Sequence, residues 1–195
     1  MVESSIRVSS SQRRQEDSLH PPSLLFQRVI SVEVCNEQSA LPVDTALTRR
    51  AVSVVLAGES VTSATISVAV VDDPTMRELN RRYLNHDYNT DVLSFLLEES
   101  DGQLDGEIIV SADTAVLRAG EFDWSAGNEL LLYVIHGTLH LTGYDDHCDA
   151  ERGHMRRKEM QYLKELGLDP ERADPDGESR LAVDDREIPN NQKEG

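Results

Sequence analysis

The sequence is short of cysteine and of long apolar runs. Cysteine occurs only twice in the 195 residues, at Cys35 and Cys148. Two well-separated cysteines exclude the disulfide frameworks of small secreted domains and fit a reducing compartment. No apolar run approaches the roughly 18 residues that a membrane-spanning helix requires, and no charged segment followed by an apolar stretch opens the chain. We therefore expect a soluble cytoplasmic protein with no membrane partner.

Basic residues are also scarce. Lys and Arg number 19 against 36 Asp and Glu, which leaves a formal net charge of -17. This balance argues against a protein that coats nucleic acid non-specifically, because Lys and Arg contacts to phosphate supply most of such affinity. A local basic groove remains compatible with it. Binding of free nucleic acid is expected to be weak and salt-sensitive, so a protein partner could present the substrate.

The length and the hydrophobic content of 38% predict one domain with a core of its own. Residues 1–27 are rich in Ser, Gln and Arg and show no sustained period, which predicts a flexible leader. Residues 169–195 are acidic, contain three prolines and have too few apolar residues to pack. We therefore predict a folded domain over 28–168, followed by a disordered acidic tail.

Apolar periodicity and turn residues predict strands alternating with helices inside this domain. The strands are predicted at 29–34, 65–71, 92–95 and 106–111. An acidic turn from Glu98 to Gly102 indicates that the last two strands form a hairpin. Helices are predicted from Asp44 or Thr45 to Gly58, from near Pro74, and over about 113–119, 126–141 and 150–166. The expected fold class is α+β, with a single small mixed sheet packed with helices.

Candidate chemistry lies at the end of the apolar helix 126–141. His136 and His140 are four residues apart, so both can direct a ring nitrogen at one ion about 2.0 to 2.1 Å away. Gly143 is expected to end the helix in the left-handed region, and the following turn can bring residue 145, 146 or 147 back. Three protein ligands and one open position describe a catalytic zinc site. The pattern predicts one Zn²⁺ per chain, the alternative being histidines that merely line the helix.

The residue at position 137 helps to distinguish a peptide substrate from a phosphodiester substrate. The metalloprotease pattern has a glutamate directly after the first histidine as general base, and this chain has Gly137. Zinc lowers the pKa of a bound water toward about 7, but peptide hydrolysis would lack its usual proton acceptor. A phosphodiester, which brings its own oxygens to the site, is therefore favoured as substrate.

Three motifs of the chain occur together. They are the run from His136 to Asp145, the run Leu79–Phe95 with its Thr90-Asp91-Val92-Leu93-Ser94-Phe95 end, and Gly106-Glu107-Ile108. They resemble, in that order, the HGxLHLxGYD, LN..Y....D..TDVLSF and GDI motifs of the YbeY endoribonuclease family. The similarity extends over roughly residues 30 to 168. It implies a zinc-dependent single-strand endoribonuclease that matures the 3′ end of small-subunit (16S) ribosomal RNA and acts in ribosome quality control.

The resemblance also implies a third metal ligand. The family signature ends in GYDH, with its metal-binding histidine six residues after the second one, and here Asp146 holds that position. Met155 lies nine residues beyond Asp146, as the family's methionine does beyond its histidine, so no insertion is needed. Asp146 is therefore the predicted ligand and His147 the alternative. A carboxylate is an acceptable zinc ligand, although it tolerates other divalent ions more readily than imidazole does.

A second departure from the family concerns a phosphate-binding arginine. The family has this arginine where the present chain has Leu84. Arg82 is the predicted catalytic substitute, with Arg81 as the alternative, because a planar guanidinium suits a phosphate. Both arginines could instead form a solvated helix face.

Three hypotheses follow from the sequence. The first is a metal-dependent endoribonuclease acting with ribosomal RNA and the small ribosomal subunit. The second is a metallopeptidase-like hydrolase, which Gly137 disfavours. The third is a non-enzymatic ribosome-associated assembly factor with a structural metal, which the net acidity and Leu84 make more credible.

Overall fold

The computed structural model describes residues 29–100, 103–121 and 124–169. The elements, in chain order, are β1 (Val29–Asn36), α1 (Thr45–Gly58), β2 (Ser63–Val71), α2 (Asp73–Leu84), β3 (Val92–Ser100), β4 (Gln103–Ser111), α3 (Ala112–Ala119), α4 (Ala126–Leu141) and α5 (Asp149–Glu165). The predicted α+β class is confirmed. The predicted leader, and the predicted tail apart from Asp169, lie outside the described residues, and the domain boundaries stay a prediction.

The described strands form one mixed sheet in the order β1-β2-β4-β3. β2 pairs in parallel with β1 and β4, whereas β3 and β4 form the predicted antiparallel hairpin. β3 is longer than predicted and includes acidic residues of the predicted turn. Glu98 pairs with Asp105 and Glu99 with Leu104. These side chains are exposed on an edge strand, where the backbone can pair whatever the polarity of the side chains.

Helix starts follow from local chemistry. A side chain that precedes each of α1 to α4 accepts a hydrogen bond from an amide of the first turn, and these caps are Asp44, Asp72, Ser111 and Ser125. Such caps satisfy amides that have no partner inside the helix and contribute about 0.5–2 kcal/mol each. Of the two predicted starts of α1, Asp44 is the cap and Thr45 is the first residue of the helix.

Helix α4 lies at the centre of the fold, packed against β3, β4, α1, α3 and α5. Almost every residue from Glu129 to Leu141 is buried, as is expected of a helix that is apolar on all sides. Full burial of one Leu or Ile contributes about 1.5–3 kcal/mol. In the described part of the chain, no helix combines the length and the apolarity that crossing a bilayer requires.

Gly137 allows α4 to lie close to the sheet. A Cβ atom at this position would be 2.8 Å from both Ile108 Cγ2 and Ser94 Oγ, and 3.0 Å from Val92 Cγ2. Contacts this short do not occur between real Cβ atoms and their neighbours. The close approach directs the next residues of α4 toward the start of β3.

Candidate metal centre

The two predicted histidines lie in the last two turns of α4. The helix ends at Leu141 with Thr142 as its C-cap, and Gly143 follows with φ +91, which confirms the expected left-handed residue. The amide of Tyr144 donates to the Leu139 carbonyl at 3.1 Å and that of Gly143 to the His140 carbonyl at 3.0 Å. These two bonds form a Schellman motif, which turns the chain back toward the histidines.

The ring of His136 is oriented by a buried carboxylate. Its Nδ1 lies 2.8 Å from Oε1 of Glu159 on α5, and both side chains are less than 10% exposed, at 6% and 7%. Glu159 is 23 residues away along the chain, so no local pattern in the sequence indicates this pair.

The ring of His140 is oriented by the backbone. Its Nδ1 lies 3.0 Å from the carbonyl oxygen of Tyr144, the residue that the Schellman turn positions. The hydroxyl of Tyr144 in turn donates to Glu59 at 2.8 Å. Glu59 also accepts from Lys158 at 2.8 Å and from Tyr162, so the turn is tied to both α1 and α5.

These contacts determine which nitrogens remain available. Carboxylate and carbonyl oxygens only accept, so each neutral imidazole carries its proton on Nδ1 and a lone pair on Nε2. The two Nε2 atoms lie 2.9 Å apart. Two lone pairs at this distance repel unless a proton or a metal ion lies between them. Histidines that bind metals characteristically donate their other N–H to a carboxylate or a carbonyl.

Asp146 is the third member of this group. Its Oδ2 lies 3.9 Å from Nε2 of His136, and one ligand atom each of His136, His140 and Asp146 lies within 4.8 Å of the others. Two atoms about 2.1 Å from one ion can be at most about 4.2 Å apart, so His136 can share an ion with either partner. The side chain of His147 is 84% exposed and its Nε2 lies 3.4 Å from Asp145.

The donor set fits a divalent ion such as zinc. Two imidazoles and one carboxylate are a known ligand combination for catalytic zinc, which leaves a position for water or substrate. His147 instead forms a second, more exposed group with Asp145 and Asp146, which shares Asp146 with the first group. The structure thus brings together the three residues named from the sequence and does not bring His147 to the histidine pair.

The pKa values of the two histidines shift in opposite directions. Burial disfavours the imidazolium of His136, but the hydrogen bond and charge of Glu159 outweigh it, so its pKa lies above the ordinary value. Burial, and then repulsion from His136, holds the pKa of His140 below the ordinary value. When the histidine pair holds one extra proton, these shifts favour its place on His136, whose Nε2–H then donates to His140.

Metal affinity is expected to fall with acid, because binding must displace this proton. The ordinary histidine pKa is about 6.5, and that of His136 is raised, so the loss should begin above about pH 6.5 as acid is added. Below the raised pKa, log K should fall by about one per pH unit. Competition titrations with Zn²⁺ at pH 6, 7 and 8 measure this dependence, and an affinity constant across that range would contradict it.

Replacing Glu159 with glutamine is expected to weaken metal binding about 10- to 100-fold, the usual effect of losing an outer carboxylate. Glutamine keeps the shape and an accepting oxygen but removes the charge that favours a cation at His136. Glu165→Gln provides the control, since Glu165 lies exposed on the same helix. Competition with a metal-binding dye measures both variants, and equal affinities would show that the carboxylate does not tune the site.

The two histidines line a cleft with a volume of about 660 Å³. Its other walls are the start of β3, the 84–90 connection, the 145–147 turn and Arg152. Asp91 lines the cleft as a buried carboxyl whose Oδ1 accepts from Thr90 Oγ1 at 3.1 Å and from the Val92 amide at 3.0 Å. Burial raises the pKa of Asp91, while the charge of His136 acts in the opposite direction.

The predicted arginines lie outside this lining. The cleft contains Leu84 instead, at the position where the family arginine was expected. The Arg82 guanidinium lies 5.5 Å from the ring centroid of Tyr83, and Arg81 pairs with Glu78 at 2.6 Å. The role of Arg82 therefore stays a prediction.

A different cation, Arg152, lies in the cleft. Its Nη1 donates to the carbonyl of Asp146 at 3.0 Å and to that of His147 at 3.4 Å. The side chain is 29% exposed and also pairs with Asp149. Sequence spacing could not identify Arg152, because it belongs to no motif and is held in the cleft by hydrogen bonds to backbone carbonyls.

Comparison with known proteins agrees with the motifs. A family model described as Endoribonuclease YbeY matches residues 32–167. The Endoribonuclease YbeY of Salinibacter ruber is 39% identical over 151 residues, which cover 73% of this chain and 94% of that protein. The chain belongs to the YbeY endoribonuclease family. The Endoribonuclease YbeY of Pelotomaculum thermopropionicum is also 39% identical, over 70% of this chain and 97% of its own.

The YbeY assignment extends to the fold. The solution structure of a Thermotoga maritima protein is 30% identical, with a TM-score of 0.53 over 76% of this chain and 97% of that one. The resemblance predicted from the sequence motifs is thus confirmed. The YbeY name describes an RNA-cleaving hydrolase, and the histidine and aspartate group of this family member could hold a metal.

Proposed function

We propose that this YbeY family member is a zinc-dependent endoribonuclease that cleaves single-stranded RNA. The observation that carries the proposal is the pair of facing Nε2 atoms of His136 and His140, 2.9 Å apart at the base of an open cleft. Both Nδ1 atoms are held by accepting oxygens, so the lone pairs of this pair are directed at a shared cation.

Each residue of the centre has a separate task. His136, His140 and Asp146 would hold the ion, while Glu159 and the Tyr144 carbonyl keep the two rings in orientation. When bound, a divalent ion supplies Lewis acidity for a phosphoryl group and for an attacking water. A cation near the substrate phosphate would stabilise the charge that develops in the transition state. Arg152, which lines the cleft, and Arg82, on α2, are the candidates for this contact.

An RNA substrate is favoured over a peptide by the packing of Gly137. The glutamate of the metalloprotease pattern would follow the first histidine, and even a Cβ there would meet Ile108 and Ser94 at 2.8 Å. This helix therefore cannot carry that general base without moving away from the sheet. A structural metal is disfavoured because the ligands border an open cleft and include no cysteine, whereas structural zinc sites are closed.

The biological assignment extends the same proposal. The substrate would be the 3′ end of small-subunit (16S) ribosomal RNA, cleaved in the cytoplasm during maturation and quality control of the small ribosomal subunit. The net charge of -17 makes binding of free RNA weak. A ribosome-associated protein partner that presents the RNA would offset this.

The identity of the third ligand provides the test. Asp146→Ala is expected to lower both the bound metal and the cleavage of single-stranded RNA about 10- to 100-fold, because one of three ligands is lost. His147→Ala should leave both unchanged, since its exposed ring lies apart from the histidine pair. Elemental analysis and a cleavage assay on the same samples measure both. The reverse pattern would assign the third position to His147, and metal without cleavage would favour the assembly-factor hypothesis.

A further inference from the structure

Helix α5 carries a second groove, beyond the metal cleft. It has a volume of about 480 Å³ and is lined by Arg156, Arg157, Met160, Gln161 and Lys164. We call these five residues the α5 basic groove. Three of the five are cations, in a chain whose net charge is -17, and none is acidic. Such a concentration of charge against the overall sign indicates a surface for an anionic partner.

The groove begins beside the face by which α5 packs and extends to the opposite side of the helix. Met155, Glu159, Tyr162 and Leu163 are the buried side, and at about 100° per residue Arg156 lies next to it, whereas Arg157 and Lys164 lie nearly opposite. Of the acidic residues of α5, Glu165 contacts the groove by accepting a hydrogen bond from Gln161 at 3.0 Å, and the other three lie elsewhere. Asp149 and Glu151 are in its first turn, Glu159 is buried against His136 and Glu165 is at its end.

Arg157 and Lys164 of the groove differ in their pairing from two other cations of α5. Arg152 pairs with Asp149, and Lys158 pairs with Glu59. Over residues 29–100, 103–121 and 124–169, no ion pair is found for Arg157 or Lys164, and both are exposed. They are therefore available to an external anion.

The groove also continues the metal cleft. Arg152, which lines the cleft, precedes Arg156 by four residues and so lies on the same side of α5 one turn earlier. From Arg152 to Lys164 the helix rises about 18 Å, at 1.5 Å per residue, and turns by about 120°, at 100° per residue. A strand that leaves the cleft past Arg152 and Arg156 would therefore reach Arg157 and Lys164 by winding around α5.

We propose that the α5 basic groove binds the phosphate backbone of the RNA strand on one side of the cleavage position. This inference rests on the proposed function, because it takes RNA as the occupant of the cleft. Guanidinium and ammonium groups at helical spacing suit successive phosphates. Because the groove adjoins the cleft, RNA is favoured as its partner. Binding of an acidic protein would not require a site next to the metal ligands.

The inference is tested with the double variant Arg157→Gln/Lys164→Gln in the full chain. Anisotropy titrations use labelled single-stranded RNAs of 4 and 20 nucleotides at several salt concentrations, and a gel verifies that the RNA stays intact. Each phosphate contact to a single strand contributes about 0.7 to the slope of log K against log salt. For the long RNA we expect the slope to fall by about 1.4 and the affinity to fall at least about fivefold near 0.1 M salt. The short RNA should bind as it does to wild type.

Two matched variants accompany it. Arg49→Gln/Arg50→Gln removes the same charge from exposed positions of α1, where Arg49 contacts Val32 of β1 at the sheet edge opposite β3. This control should bind the long RNA as wild type does, apart from a small uniform effect of net charge. Arg157→Lys/Lys164→Arg exchanges the cations and should retain both affinity and salt slope.

The outcomes separate the two proposals. If wild type binds and cleaves RNA while the Gln/Gln variant keeps the wild-type affinity and slope for the long strand, the groove inference is wrong and the proposed function stands. If wild type cleaves neither RNA, the proposed function fails and takes the inference with it. Loss of binding to a polyglutamate peptide, with RNA binding unchanged, would assign the groove to an acidic protein and overturn the inference.

Discussion

Replacing His140 with alanine is expected to release the metal and to lower cleavage of single-stranded RNA on the order of 10³-fold. A metal acting as Lewis acid contributes several kcal/mol to transition-state stabilisation, and each 1.4 kcal/mol is about tenfold in rate. Nδ1 of His140 contacts only a backbone carbonyl, so the fold should tolerate the change. Metal content by elemental analysis and initial cleavage rates under single-turnover conditions measure the effect.

His136→Ala should give the same loss of metal and activity, but with a cost to the fold. It leaves Glu159 buried without its partner, and breaking a buried pair in this way costs about 3–5 kcal/mol. His154→Ala is the matched control, because His154 is exposed on α5 and lies outside the metal group. Retention of metal, or of cleavage within tenfold of wild type, in the His140 variant would overturn the metal assignment.

Gly137→Glu, which would create the metalloprotease pattern, is expected to destabilise the protein by more than about 3 kcal/mol and to yield no peptidase. Overpacking of a core costs about 1–3 kcal/mol, and a glutamate here would also bury a charge. Gly137→Ala should already destabilise by about 1–3 kcal/mol, although alanine is the better helix former by about 1 kcal/mol. Urea unfolding followed by circular dichroism measures both free energies.

A second glycine of α4 controls for helix propensity. Nothing lies within 4 Å of a Cβ placed at Gly127. Gly127→Ala should therefore be neutral or stabilising by up to about 1 kcal/mol. If Gly137→Ala were as stable as Gly127→Ala, the contact of α4 with Ile108 and Ser94 would not restrict this position.

Local signals were sufficient for most of the fold. The predicted bounds of α4, 126–141, agree with the structure, because a capping serine and a glycine flank a continuous apolar run. The prediction failed at β3, where Glu98 and Glu99 continue the strand. Polar composition marks turns only on average, and on an edge strand the backbone pairing decides.

The sequence predicted the three residues of the candidate metal group but not the residues that orient them. Spacing within one helix sufficed for His136 and His140, since helix geometry determines which side chains share a face. Glu159 and Arg152 could not be derived in this way. They reach the site from another helix, and their contacts depend on how α5 packs against α4, which no local pattern encodes.

The histidine pair and Asp146 differ in how far a substitution lowers the stability of the protein. His136 and His140 belong to a helix whose opening requires the core to open, so their amides should exchange with solvent only through global unfolding. Asp146 lies after the Schellman turn, with a side chain 27% exposed. A change of residue at this position alters the ion's environment without disturbing the core. The proposed third ligand can therefore be replaced at a lower cost in stability than either histidine of the pair on α4.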